Sequence, residues 1–81
     1  MNIIYEKDRI RYFDIHGTEI HDGDTVLLDG REKKVYLTED GCLGTDATNP
    51  AWVESGRAAP CEYGVYTFSA ADEPELVRKE N

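Results

Sequence analysis

Glu19-Ile20-His21-Asp22-Gly23-Asp24-Thr25-Val26-Leu27-Leu28-Asp29-Gly30 sets a β-rich run between two Asp-Gly pairs, and the reading of that run decides the fold. Asp-Gly beside apolar residues is among the strongest short-range turn signals, because both residue types tolerate the positive φ that a tight reversal needs. Downstream, Lys33-Lys34-Val35-Tyr36-Leu37-Thr38 reads as a second strand, and Glu39-Asp40-Gly41 as a further turn before Cys42-Leu43-Gly44. Residues 25–44 therefore predict a three-stranded antiparallel meander. Val26 is in phase with Leu28, and Val35 with Leu37, so each pair is expected to point into one core face.

Working outward, Ile3-Ile4-Tyr5 and Ile10-Arg11-Tyr12-Phe13-Asp14-Ile15 are two apolar stretches, the second of which reads as a strand ended by His16-Gly17. On the other side, residues 45–57 show no alternation. Asp46, Thr48 or Asn49 can cap a short helical turn with Pro50 at its first position and Gly56 as its stop, which predicts one turn within residues 50–55. Cys61-Glu62-Tyr63-Gly64-Val65-Tyr66-Thr67-Phe68 is the last convincing strand, and Gly64 inside it predicts a bulge or a close backbone approach. The tail 69–81 is charged; Pro74 argues against a long helix there, Glu75-Leu76-Val77-Arg78 suits an edge strand, and the final residues are expected to fray.

The chain has 81 residues, 40% of them hydrophobic, enough for one core and one domain over 1–81. So small a core leaves homo-oligomerisation open as a source of further stability. The net charge of −8 repels phosphate backbones and anionic headgroups, so nucleic acid and membrane surfaces are disfavoured partners, with Arg31, Lys33 and Lys34 as the one basic cluster. Neither a signal-like start nor an apolar run of spanning length is present, which predicts a cytoplasmic protein with Cys42 and Cys61 as reduced thiols.

The run Asp14-Ile15-His16-Gly17-Thr18-Glu19-Ile20-His21-Asp22-Gly23-Asp24-Thr25-Val26, of the form D-x-x-G-x-x-I-x-x-G-D-x-V, resembles the opening of many SH3-like barrels. These include KOW-type modules and the C-terminal domain of the alkylphosphonate-associated zinc-ribbon proteins. The resemblance covers about residues 14–44 and implies a mainly β fold, a small SH3-like barrel of five to six short antiparallel strands with one helical turn. In the turn itself Gly23 permits the reversal and Asp24 can accept backbone hydrogen bonds. By its size, acidity and residues 46–57, the whole chain is similar to short accessory proteins carried by prophages and other mobile elements. That likeness implies a non-enzymatic protein acting on a bacterial host protein such as a defence factor.

No phosphate loop, nucleophile elbow, Cys-x-x-Cys pair or His-Glu-x-x-His sequence occurs, so neither an enzyme nor a cofactor is expected. His16, His21, Cys42 and Cys61 lack the paired spacing of a zinc site, and Asp22 and Asp24 lack the rest of a calcium loop. The irregular stretch 46–57 is the best functional candidate, since binding residues concentrate on such loops. Trp52 offers an anchor, Arg57 a planar fork for carboxylate or phosphate, and Thr48, Asn49 and Ser55 neutral hydrogen bonds; Tyr63 and Tyr66 flank them as binding residues. Against this stands a purely structural reading, in which Trp52 closes an open barrel end and Asp46–Asn49 cap a helical turn. The sequence thus favours a protein-binding module. An oligomeric binder of a nucleotide-like signal comes second, and a nucleic-acid-binding barrel using Arg31–Lys34 third.

Overall fold

Asp29 and Gly30 both take positive φ, 52° and 77°, and join Leu28 to Arg31 in a two-residue hairpin loop. Positive φ at both central positions is the turn geometry whose twist matches that of the flanking strands. In the computed structural model, which describes residues 1–80, the hairpin links β4 (Thr25–Leu28) to β5 (Arg31–Leu37). A second reversal, closed by Gly41 N donating to Thr38 O and Thr38 N to Cys42 O, leads into β6 (Leu43–Asp46), so the expected meander is present.

Five further strands surround it: β1 (Asn2–Tyr5), β2 (Ile10–Phe13), β3 (Glu19–Ile20), β7 (Val65–Thr67) and β8 (Glu75–Arg78). One helix, α1 (Pro50–Glu54), lies between β6 and β7. The strands form two antiparallel sheets, β1-β2-β3 and β7-β6-β5-β4-β8. The protein is therefore mainly β, with eight strands among the described residues where five to six were expected. Its ladders remain separate, with no strand of one sheet paired to the other among the described residues.

The core lies between the sheets. Tyr12 and Ile20 from the smaller sheet meet Val26, Leu28, Val35, Leu43 and Phe68, and Met1, Ile3, Ile10 and Leu76 pack around them. The Tyr12 and Phe68 rings are tilted with centroids 6.1 Å apart. Val26 is wholly buried, so Val26→Ala should cost about 2 kcal/mol of stability, read as a fall in the urea midpoint at unchanged slope.

Two aspartates tie the end of the chain to its first third. Asp14 accepts from the backbone N of His16 and Thr18 on one oxygen and of Leu76 on the other, all at 2.9 Å. Asp24 accepts from His21 N at 2.8 Å and Lys79 Nζ at 3.2 Å on one oxygen, and from Glu80 N at 3.2 Å on the other. Burial pushes both carboxyls up, but these donors outweigh it and hold both below the ordinary aspartate value.

Four expectations are corrected. Leu37 shares the face of Val35 but is 56% exposed, because the seven-residue β5 runs past the end of the core. The strand expected over 61–68 shrinks to Val65–Thr67, since positive φ at Cys61 (60°) and Gly64 (92°) turns the chain there. Gly64 has open space where a Cβ would sit, and the close backbone approach falls instead at Gly44, where a Cβ would meet the Tyr66 carbonyl. Glu75–Arg78 is an edge strand as expected, but Lys79 and Glu80 are bonded to Asp24 instead of fraying. Asn81, the last residue of the expected frayed tail, lies outside the described residues.

Among the described residues no helix is long and apolar enough to cross a membrane.

Candidate functional site

Between β6 and β7 the chain leaves the sheet and returns, and the base of this excursion is stitched by three polar groups. Asp46 accepts from Thr48 N at 2.8 Å on one oxygen and from Cys61 N at 2.9 Å on the other. The Thr48 hydroxyl accepts from Tyr63 N at 3.2 Å, and Ala47 N donates to Gly64 O at 3.0 Å. Residues 46–48 are thereby held against 61–64. Burial pushes the Asp46 carboxyl up, and the donors from Thr48 and Cys61 together bring it below its ordinary value.

On this base stands α1. Asn49 is its cap, accepting from Ala51 N at 3.0 Å, with Pro50 at the first helical position where no N–H is required. Gly56, at φ 77°, ends it, and both Arg57 N and Ala58 N donate to the Trp52 carbonyl. That reversal returns the Arg57 guanidinium over the Trp52 indole, 5.3 Å from the ring centroid. Tyr63 meets the same indole edge-on at 5.7 Å. Trp52 is half-buried between them, while Arg57 is exposed and Tyr63 is 60% exposed. A cation, an indole and a phenol thus form one stack, with the hydroxyl and guanidinium free to contact a partner.

The remaining residues expected at the site go elsewhere. Ser55 directs its hydroxyl to Trp52 O at 3.3 Å, Asn49 is occupied as the cap, and Thr48 is buried as a stitch. Tyr66 lies on β7, its hydroxyl 3.5 Å from Asp72. With Thr48 and Asn49 it lines a cleft of about 360 Å³ that excludes Trp52 and Arg57. An adjoining cleft of about 300 Å³ is lined by Tyr36, Val53 and Glu54, and the two share Lys33, Asp46, Thr48 and Pro50.

Lys33 and Asp46 line both clefts and Tyr36 lines one; the sequence offered Lys33 only in a basic cluster and Asp46 only as a cap, and it gave Tyr36 no role at the site. Lys33 is half-buried on β5 and makes no ion pair among the described residues. Lys34 lies over the Tyr36 ring at 5.6 Å. Burial raises the Tyr36 hydroxyl, and burial followed by the nearby Asp46 charge raises the Cys61 thiol. Cys61 therefore stays protonated at neutral pH, which is not the nucleophilic form. Cys42 is likewise a free cysteine. The histidines go separate ways, His16 to Glu75 at 3.0 Å and His21 to Lys79 at 3.4 Å.

Comparison with protein-family models, with curated proteins and with solved structures finds no match to this chain.

Proposed function

We propose that this chain is a small, acidic, non-catalytic protein-binding module whose contact surface is the Trp52, Arg57 and Tyr63 stack. The observation that carries the reading is the stack itself: two large aromatic groups and a guanidinium, partly exposed, on a loop whose base is fixed by Asp46 and Thr48. Trp, Tyr and Arg are the residues that dominate binding energy at protein interfaces, and fixing them in advance lowers the ordering cost of association. The resemblance in size, acidity and residues 46–57 to prophage accessory proteins supports a bacterial host protein, such as a defence factor, as the partner that this module binds and modulates. Support for an SH3-like class comes from the β4 to β6 meander and the Gly23-Asp24 turn that precedes it.

The test is affinity capture from bacterial lysates with the wild-type chain, Trp52→Ala and Arg57→Ala. A stoichiometric partner is expected with the wild type, and its retention should fall at least about thirtyfold with Trp52→Ala and about tenfold with Arg57→Ala. Both variants should melt near the wild-type temperature, because neither side chain belongs to the core cluster. No partner across several hosts, or a partner indifferent to both substitutions, sinks the reading.

A second reading, a nucleotide-like ligand, is favoured by Lys33, the half-buried cation that lines both adjoining clefts. Arg57, the cation first expected to serve such a ligand, lines neither. Thermal-shift measurements with mono- and cyclic nucleotides should then show stabilisation that Lys33→Met removes; no stabilisation by any of them sinks this reading.

A further inference from the structure

We propose that a separate cleft, between β3 and the β5–β6 turn, docks a Lys/Arg-rich segment of a protein partner through an apolar anchor side chain. Its floor joins the two sheets: Ile10 and Ile20 from the smaller, Leu37 and Leu43 from the larger, around a volume of about 460 Å³. Ile20 and Leu43 belong to the buried core, so the floor is rigid. Leu37 is the exposed apolar wall left where β5 outruns the core. An aliphatic or aromatic side chain entering here would cover it.

The rim selects the charge of what enters. Asp8 and Asp22 line the cleft and make no ion pair among the described residues. Asp22 accepts a hydrogen bond from Leu37 N at 3.0 Å, which orients its carboxylate without neutralising it. Two cations at or beside the cleft are already committed, Arg9 to Glu6 at 3.1 Å and Lys79 to Asp24 at 3.2 Å. Glu19, also on the lining, is neutralised by Arg11 at 3.0 Å. Glu39 and Asp40 are exposed in the turn that brings Gly41 to the cleft. Lys7, next to Asp8, makes no ion pair among the described residues, and it does not line the cleft.

An apolar floor inside a net acidic rim, on a chain of net charge −8, complements a basic segment and opposes a second copy of this chain, nucleic acid and anionic lipid alike. None of the residues lining it belongs to the Trp52 stack, so this surface stands or falls independently of that one.

The experiment is a titration of isotope-labelled protein, followed by amide NMR at low salt, with a peptide holding a Leu-Phe pair between two runs of lysine. Shifts are expected to concentrate at Ile20, Leu37, Gly41 and Leu43, and affinity to fall as salt rises. Leu37→Ser should weaken binding at least about tenfold, since it removes the exposed apolar wall. Asp8→Lys should weaken it further and flatten its salt dependence, and Trp52→Ala should leave it unchanged. A companion peptide with Gly-Ser in place of Leu-Phe should bind at least about tenfold more weakly, and one with glutamate in place of lysine not at all. Leu37 and Asp8 are both exposed, so the amide spectra should report intact folds for both variants. Any of four results overturns the proposal: no binding at low salt, shifts scattered over the acidic surface, equal binding of the Gly-Ser peptide, or loss of binding with Trp52→Ala in place of Leu37→Ser.

Discussion

Replacing Asp14 by alanine should cost about 3–4 kcal/mol and lower the melting temperature by about 15 °C, measured by urea and thermal unfolding. The side chain is 4% exposed and its two oxygens serve three backbone donors, at His16, Thr18 and Leu76. Alanine leaves those N–H groups without a partner in a place water reaches poorly, and each loses a hydrogen bond to a charged acceptor. A chain of this length has about 4–12 kcal/mol of stability in total, so the loss is a large share of it. Asp14→Asn keeps one acceptor oxygen but presents an NH₂ to the remaining donors, and should fall between the two. A cost under about 1 kcal/mol for Asp14→Ala would show that β8 is held by something else.

The same carboxylates set the acid limit. Asp14, Asp24 and Asp46 are each held below the ordinary aspartate value in the folded chain. A depressed folded value means that the stabilisation is fully present above the unfolded value, about pH 3.9, and is lost as pH falls through the lower folded values. Unfolding midpoints should therefore hold from neutrality down to about pH 4 and then drop. Asp14→Ala, already lacking its share, should show a shallower acid limb than the wild type.

The second large effect is expected at Gly44. A Cβ there would overlap the Tyr66 carbonyl and crowd Thr67 Cα, both backbone, so only movement of β7 away from β6 can relieve it. Gly44→Ala should cost about 3 kcal/mol and expose the β7 amides to rapid hydrogen exchange. Phe68, whose N donates to Leu43 O, would lose its place in the core with the strand. Gly41→Ala is the informative contrast, because its φ of 83° is strained for alanine but the space is open; about 1 kcal/mol is expected. Equal costs at the two positions would refute the steric account of Gly44.

These effects also show where local sequence carries the fold and where it does not. Asp29-Gly30 and the Asn49-Pro50 to Gly56 stretch could be read directly, since turn and cap chemistry act over a few residues. Gly44 could not be told from Gly64, because the need for glycine arises from Tyr66 and Thr67 on a strand far along the chain, which leave no mark near Gly44 itself. Leu37 misled for a related reason: alternation states which face a residue takes, but not whether the opposing sheet reaches that far. At the site, Trp52 and Arg57 were legible as an anchor and a fork on an irregular loop, but the stacking of one on the other was not. The role of Asp46 as the stitch between 46–48 and 61–64 depended on a return path that no short window contains.

The attachment of β8 carries a kinetic consequence. Asp14 bonds to Leu76 across 62 positions, and Asp24 to Glu80 across 56. Strand β4, an interior strand of its sheet, has β8 as one of its two neighbours. During synthesis residues 25–46 can form the meander, yet one side of β4 stays open until Glu75–Arg78 are free to pair with it. Folding should therefore be slow for so short a stretch of chain, with β4 the segment most exposed to mispairing in the interval.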